Sequence, residues 1–335
     1  MRDSFWGFVR RVFASQEGGI IVALAIMCIL IAAVNPAFTS RYNITTLILG
    51  FSFISIVAFG ETLVLISGEI DLSIGSIAGL SGIITAWLMS FLALSPFLAI
   101  VAGLGVGLGF GFLNGLLVTR VGLNSFIATL GTMEAISGLI LVITKGRAIV
   151  RLPESVFFLG RGSLGILPVP VFIMIAVLIY LSFMLNATVF GKRVYFIGGN
   201  ETAARVAGVN VERTKTAVFA ISGFLSALSG ILMMARLTSG QPTIGQYWLM
   251  PSIAAAVIGG TSLAGGKGSV IGTLAGAAIL GVLQNAIAIL GISPYWERTI
   301  IGSVVVLAVT IDVLRERFAY LSVVRSTGKA QGERE

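Results

Sequence analysis

The chain has 335 residues, of which 56% are apolar and 11% charged, with a formal net charge of +8; an ordinary soluble domain carries about 25% charged residues. With a mean hydropathy of +1.02, this composition excludes an ordinary soluble globular protein and a disordered chain. Histidine is absent and Cys28 is the single cysteine, which excludes a Ser-His-Asp or Cys-His catalytic set, a His- or Cys-rich metal site and an intramolecular disulfide.

A membrane crossing takes roughly 20 apolar residues. The apolar runs predict about ten: 18–34, 44–66, 72–91, 97–118, 126–144, 170–185, 216–235, 249–263, 270–290 and 299–313. The expected fold is all-α and polytopic, a single transmembrane domain over 1–335. Arg2, Arg10 and Arg11 precede the first run, and Asn35-Pro36 follows it without a convincing small-x-small site. That run therefore reads as a retained span rather than a cleaved signal peptide. The eight prolines lie in or beside the segments between runs, and Trp6, Trp87, Trp248 and Trp296 lie near run ends, where an interfacial aromatic belt sits.

Between the second and third runs, SGEIDLSIGS (67–76) interrupts the pattern with Glu69 and Asp71. Asp71 stands just before a renewed helical run, where a carboxylate caps free N–H groups and meets the positive helix end. In the fourth run Gly103, Gly107, Gly111 and Gly115 recur every four residues, and Gly268, Gly272 and Gly276 do so later. Such stripes let helices approach closely in lipid, and packing within the chain is the expected use. IGSIAG (74–79) also echoes IGTLAG (271–276), as an internal repeat would.

With both termini cytoplasmic, most of the 22 Lys and Arg fall in cytoplasmic segments, as the positive-inside rule asks; 314–335 is then a cytoplasmic tail. The exception is the outside segment 145–167, with Lys145, Arg147, Arg151 and Arg161. These four are candidates for lipid headgroup contact or for contact with acidic groups of a partner.

The longest cytoplasmic connection is 186–215. Asn200 suits an N-cap, Glu201 the first turn and Gly208 a C-cap, with Ala203, Ala204, Val206 and Ala207 between them. This predicts a helix of about two turns, carrying Arg205 and presented to a cytoplasmic partner, with Ala204 expected in that partner's groove. TSLAGGKGS (261–269) fails as a P-loop, because position 261 is Thr and Lys267 is followed by Gly268. GRGSLG (160–165) fits G-x-G-x-x-G, but no predicted strand precedes it. The chain is thus not expected to bind nucleotide, a cofactor or a metal. Glu61, Asn114, Glu134, Gln284 and Asn285 lie within runs. Intramembrane polar groups are default functional candidates, here for interhelical hydrogen bonds or for a solute path shared with Glu69 and Asp71.

Taken in order, GETLVLISGEIDLSIGS (60–76), NSFIATLGTM (124–133), GGNETAARVAGVNVERTK (198–215) and VIGGTSLAGGKGSVIGTLAGAAILGVLQNAIAILGIS (257–293) resemble permease subunits of bacterial ABC importers for ribose-type sugars. That family also contains permeases for xylose, other simple sugars and autoinducer-2. The likeness covers roughly 20–315, with one departure at Glu69, where the family most often shows Gly. The resemblance implies that two permeases, identical or paired with a second kind, form the pathway in the bacterial plasma (inner) membrane. It implies a separate ATP-binding subunit, so that this chain is not itself an enzyme, and a periplasmic or secreted solute-binding protein that delivers sugar. No nucleic acid is implied. By the same likeness, 200–208 matches the coupling helix that docks on the ATPase. Two readings stand beside it: an ion-coupled secondary transporter, and a membrane scaffold or receptor without transport.

Overall fold

A computed structural model describes residues 16–304, 306, 307 and 310. Arg2, Arg10, Arg11, the tail 314–335 and the end of the expected run 299–313 lie outside them. Helix α1 (Gln16–Val34) leads through a short turn at Pro36–Thr39 into α2 (Arg41–Ile66), α3 (Ile74–Leu92), α4 (Pro96–Thr119) and α5 (Ser125–Thr144). A short helix α6 (Glu154–Arg161) and a two-stranded antiparallel hairpin, β1 (Ser163–Leu164) with β2 (Leu167–Pro168), precede α7 (Val169–Ala187). There follow α8 (Val189–Gly199), α9 (Glu201–Val206), α10 (Val211–Leu237), α11 (Leu249–Ile258), α12 (Val270–Ile289) and α13 over 297–304.

The fold is that of an all-α polytopic membrane protein. Among the described residues, seven helices are long and apolar enough to cross a membrane: α2, α3, α4, α5, α7, α10 and α12. The caps are written in the sequence. Ser40, Asn124, Asn200, Asn210 and Ser269 each accept a backbone N–H at a helix start, and Pro96 and Pro170 sit in first turns, where a missing N–H costs nothing. Two expectations need correction, and one segment gains structure. The run 249–263 is helical only to Ile258, because Gly259-Gly260 ends it and Gly260 has φ +90°. The connection 186–215 holds two helices, α8 and α9, and its last residues belong to α10. The segment 145–167 is folded into α6 and the hairpin, with GRGSLG closing the one and opening the other.

The glycine stripes pack within the chain, as expected. A Cβ on Gly107 would collide with the Gly223 carbonyl of α10, and one on Gly111 with the Phe219 carbonyl. Gly107→Leu or Gly111→Leu is therefore expected to cut the yield of membrane-inserted protein several-fold. Leu108→Ile, on the exposed face of the same helix, should leave it unchanged; quantitative blotting of membrane fractions reads the difference. The two echoing hexapeptides also pack alike. Gly75 and Gly79 abut the Gly245 and Ile244 carbonyls, and Gly272 and Gly276 abut those of Gly259 and Ala255.

After α10 the chain does not turn back as a helix. Gly240 sits beside Ile83 and Ala86, Ile244 beside Gly79 and Gly245 beside Gly75, so 240–245 descends alongside α3 as irregular backbone. Irregular backbone at such depth survives only where protein buries it or where it lines a cavity.

Helix ends collect on two opposite faces. At the first, Asn35 Nδ2 donates to the Ile289 carbonyl (3.2 Å), Ser90 Oγ to that of Val150 (3.0 Å) and Arg161 Nε to that of Arg236 (2.7 Å). Ile149 and Gly240 exchange backbone bonds of 2.8 Å there. At the second, the Gly266 N–H donates to the Ile66 carbonyl (2.9 Å), Tyr195 to that of Gly268 (2.7 Å), and Thr119 pairs with Thr216 (3.0 Å).

Candidate functional site

A groove of about 520 Å³ opens between α3, α5 and the irregular segment, within the size range of small-molecule sites. Ser76, Glu134, Ser137, Thr243 and Gln246 supply its polar wall, with Leu72, Met133, Ile140, Ile244 and Leu249 among its apolar lining. A carboxylate, an amide and hydroxyls beside aliphatic faces are the chemistry that binds a polyhydroxylated solute. Of the expected pathway residues, Glu134 alone lies here.

Glu61, Asp71 and Asn114 are fully buried and do something else. Asp71 Oδ1 accepts from the Ser73 N–H (2.9 Å) and hydroxyl (2.6 Å), and Asp71 Oδ2 from the Ser222 hydroxyl (3.5 Å). Asn114 donates to Ser73 Oγ (2.8 Å), and the Asp71 N–H donates to Glu61 Oε1 (3.3 Å). Thr129 and Ser125 of α5 accept from the Leu72 and Ile70 N–H groups at 3.0 and 3.4 Å. Side chains thus satisfy the backbone that the break between α2 and α3 exposes. The expected cap is corrected in detail: Asp71 holds Ser73, the residue before α3, rather than an N–H of the helix itself. Gln284 and Asn285 are elsewhere again. Gln284 donates to Glu297 (2.9 Å), and Asn285 and Asn43 exchange amide hydrogen bonds of 2.8 and 3.0 Å, joining α12 to α13 and α2 near the first face.

On the second face three sequence motifs meet through glycines. Gly68 of SGEID, Gly198-Gly199 of GGNETAA and Gly265-Gly266 of AGGKG lie backbone to backbone. Gly265 and Gly266 have φ of +87° and +73°, a conformation glycine takes at no steric cost. The P-loop-like stretch is therefore a packing joint.

Helix α9 projects from this joint. Asn200 Oδ1 accepts the Ala203 N–H (2.9 Å), Gly208 has φ +78°, and Arg205 pairs with Glu201 at 2.9 Å. Ala204 does not face outward as expected. It is buried with Ile197 and Val211 of the same chain, because the 3.6-residue period turns that side of α9 to the bundle. Val206, 86% exposed, faces outward, with Ala203 and Ala207 also exposed. The ammonium of Lys215 bonds Glu69 at 2.5 Å and Glu201 at 2.6 Å. Its hydrogen bond, with that of Arg205, holds the Glu201 carboxyl below its ordinary value. This pairing is present at neutral pH and is lost as pH falls through the lowered value.

At the first face, Lys145 ends α5 in a left-handed conformation (φ 50°), and Arg147 and Arg151 are exposed beside it. Arg161 is set apart, its Nε bound to the Arg236 carbonyl. Sequence reasoning missed Lys215, Ser73, Gln246 and Val206 as site residues. A lysine at the end of the AGVNVERTK stretch (207–215) reads as one more cytoplasmic cation, and only Val206 carried a signal, as an apolar residue on a short polar helix.

A two-ended helical bundle with broken crossings, a polar groove and a short presented helix defines a membrane permease. The chain belongs to the family described as "Branched-chain amino acid transport system / permease component", whose profile matches residues 43–309, and it is a multi-pass protein of the bacterial inner membrane. It is 40% identical over 299 residues to the ribose import permease protein RbsC of Bacillus subtilis, covering 89% of this chain and 92% of that protein. It is 40% identical over 295 residues to RbsC of Haemophilus influenzae, with 87% and 91% covered. With the L-arabinose transport system permease protein AraH of Escherichia coli it shares 38% identity over 302 residues, with 90% and 92% covered. No solved structure matches the chain.

Proposed function

We propose that this chain is the transmembrane subunit of an ATP-binding-cassette importer for a monosaccharide of the ribose or arabinose type. The observation that carries the reading is the groove of Ser76, Glu134, Ser137, Thr243 and Gln246 in a chain about two-fifths identical to ribose and arabinose import permeases. The chain crosses the membrane ten times with both termini in the cytoplasm, the first face outside and the second inside. ATP is hydrolysed by a separate subunit on which α9 docks, and Val206 is the residue that enters its groove. A second permease closes the pathway opposite α5. This is supported by Glu134, exposed within a crossing, since a carboxylate facing lipid is expensive. Lipid covers the remaining apolar surface. The test is ATP-driven uptake of labelled ribose and arabinose by the reconstituted complex; no uptake of any pentose or hexose would remove the sugar assignment.

A solute-binding protein delivers the sugar to the first face, where Lys145, Arg147 and Arg151 meet its acidic groups. Opposed charges raise the on-rate more than the final affinity, and their reach falls from about 10 Å at 0.1 M salt to about 3 Å at 1 M. The Arg147→Glu, Arg151→Glu double variant is expected to need roughly tenfold more binding protein for half-maximal ATPase stimulation at low salt. The gap should close at high salt. Superimposable low-salt curves would leave lipid headgroups as the role of these cations.

A further inference from the structure

We propose that Lys215 is a coupling residue, joining the ATPase-docking helix to the break between α2 and α3 through a two-sided ion pair, Glu201–Lys215–Glu69. The inference rests on the reading of α9 as the docking helix. Lys215 lies in the second turn of α10, and its side chain is 8% exposed. The ammonium meets Glu69 Oε1 at 2.5 Å and Glu201 Oε2 at 2.6 Å. A charge this buried is tolerated when it is paired, and removing a partner leaves it uncompensated. The two partners stand on different elements. Glu201 opens α9, whereas Glu69 lies in the break, two residues before Asp71 and three before Leu72 of the groove wall. Gly68, beside Glu69, has φ +81°, and irregular backbone of this kind absorbs changes in φ and ψ that a helix resists.

Helix α9 has only six residues and a small apolar contact with the bundle, Ala204 against Ile197 and Val211. Displacement of α9 by a docked partner is therefore felt at Lys215, and through Lys215 at the break that sets the start of α3. The outer pairs of Arg205, with Glu201 at 2.9 Å and Glu212 at 3.9 Å, join half-exposed side chains; water screens them, and they are not the link.

The experiment uses the reconstituted complex of this chain, its ATP-binding subunit and its solute-binding protein, with Glu69→Gln, Glu201→Gln, the double variant and Lys215→Arg. Three quantities are read: sugar transported per ATP hydrolysed, copurification of the ATP-binding subunit, and thermal stability. A link in series fails as a unit. Each single glutamine variant should lower sugar per ATP about tenfold with the ATP-binding subunit still bound, and the double variant should be no worse than either. Lys215→Arg, which keeps a cation between both carboxylates, should retain most of the wild-type ratio. Wild-type sugar per ATP, with losses confined to thermal stability and additive between the two sites, would overturn the proposal and make the triad a brace. Val206→Asp separates this failure from that of the docking reading: retained association of the ATP-binding subunit in that variant overturns docking itself, and the coupling proposal with it.

Discussion

Val206→Asp is expected to strip the ATP-binding subunit from the purified protein, lowering its recovery at least a hundredfold, while the chain inserts at wild-type yield. Val206 is 86% exposed on a six-residue helix, so the change disturbs nothing in the chain's own core. In a partner's groove it buries an unpaired carboxylate, at a cost of several kcal/mol. Ala204→Asp provides the contrast. Ala204 is fully buried against Ile197 and Val211, so its carboxylate would disrupt α9 itself, and yield and stability should fall together with association. Equal recovery of the ATP-binding subunit with Val206→Asp and wild type would show that α9 does not dock there.

Gly75→Val should reduce transport to background. A Cβ at 75 collides with the Gly245 carbonyl, and a Cβ at 245 (φ +80°) would collide with the Gly75 carbonyl in turn, so the two backbones meet with no room for a side chain between them. Overpacking costs typically about 1–3 kcal/mol in a core that can shift, and two facing backbones shift less than side chains do. Both glycines line the groove, so the displaced wall is the one that the solute is proposed to pass. Gly131→Ala on α5 is the control: nothing lies within 4 Å of a Cβ there, and uptake should match wild type. Uptake by Gly75→Val at half the wild-type rate or more would argue that this wall is not on the path.

The crossings were legible because lipid leaves the chain few options. Apolar runs of about 20 residues, capped by Ser or Asn and punctuated by Pro, become helices whose ends agree with the runs to within a few residues. Reading failed where backbone leaves the helix inside the protein. Residues 240–245 carry no hydropathy signal for their descent along α3, and the ten-residue α11 borrowed the uncharged Gly-Gly-Thr-Ser-Leu that follows it to look like a full span. Periodicity also could not give direction to a helix as short as α9, so Ala204, expected in the partner's groove, is buried in the chain's own core and Val206 faces outward instead. The polar candidates were found but not sorted, since Glu61, Asp71 and Asn114 look in sequence like Glu134. What separates them is tertiary: the first three tie a break together, and the fourth faces a groove. Lys215 was hidden for the same reason, its partner Glu69 lying 146 residues away.

The central claim is that this chain moves a monosaccharide only as part of an ATP-driven complex. Proteoliposomes containing the chain, its ATP-binding subunit and its solute-binding protein, loaded with ATP and given labelled ribose or arabinose, test it most directly. Uptake should require all three proteins and internal ATP, and should be unchanged when ion gradients are collapsed. Sugar accumulation by the chain alone, driven by a proton or sodium gradient without ATP, would contradict the account and make it a secondary transporter.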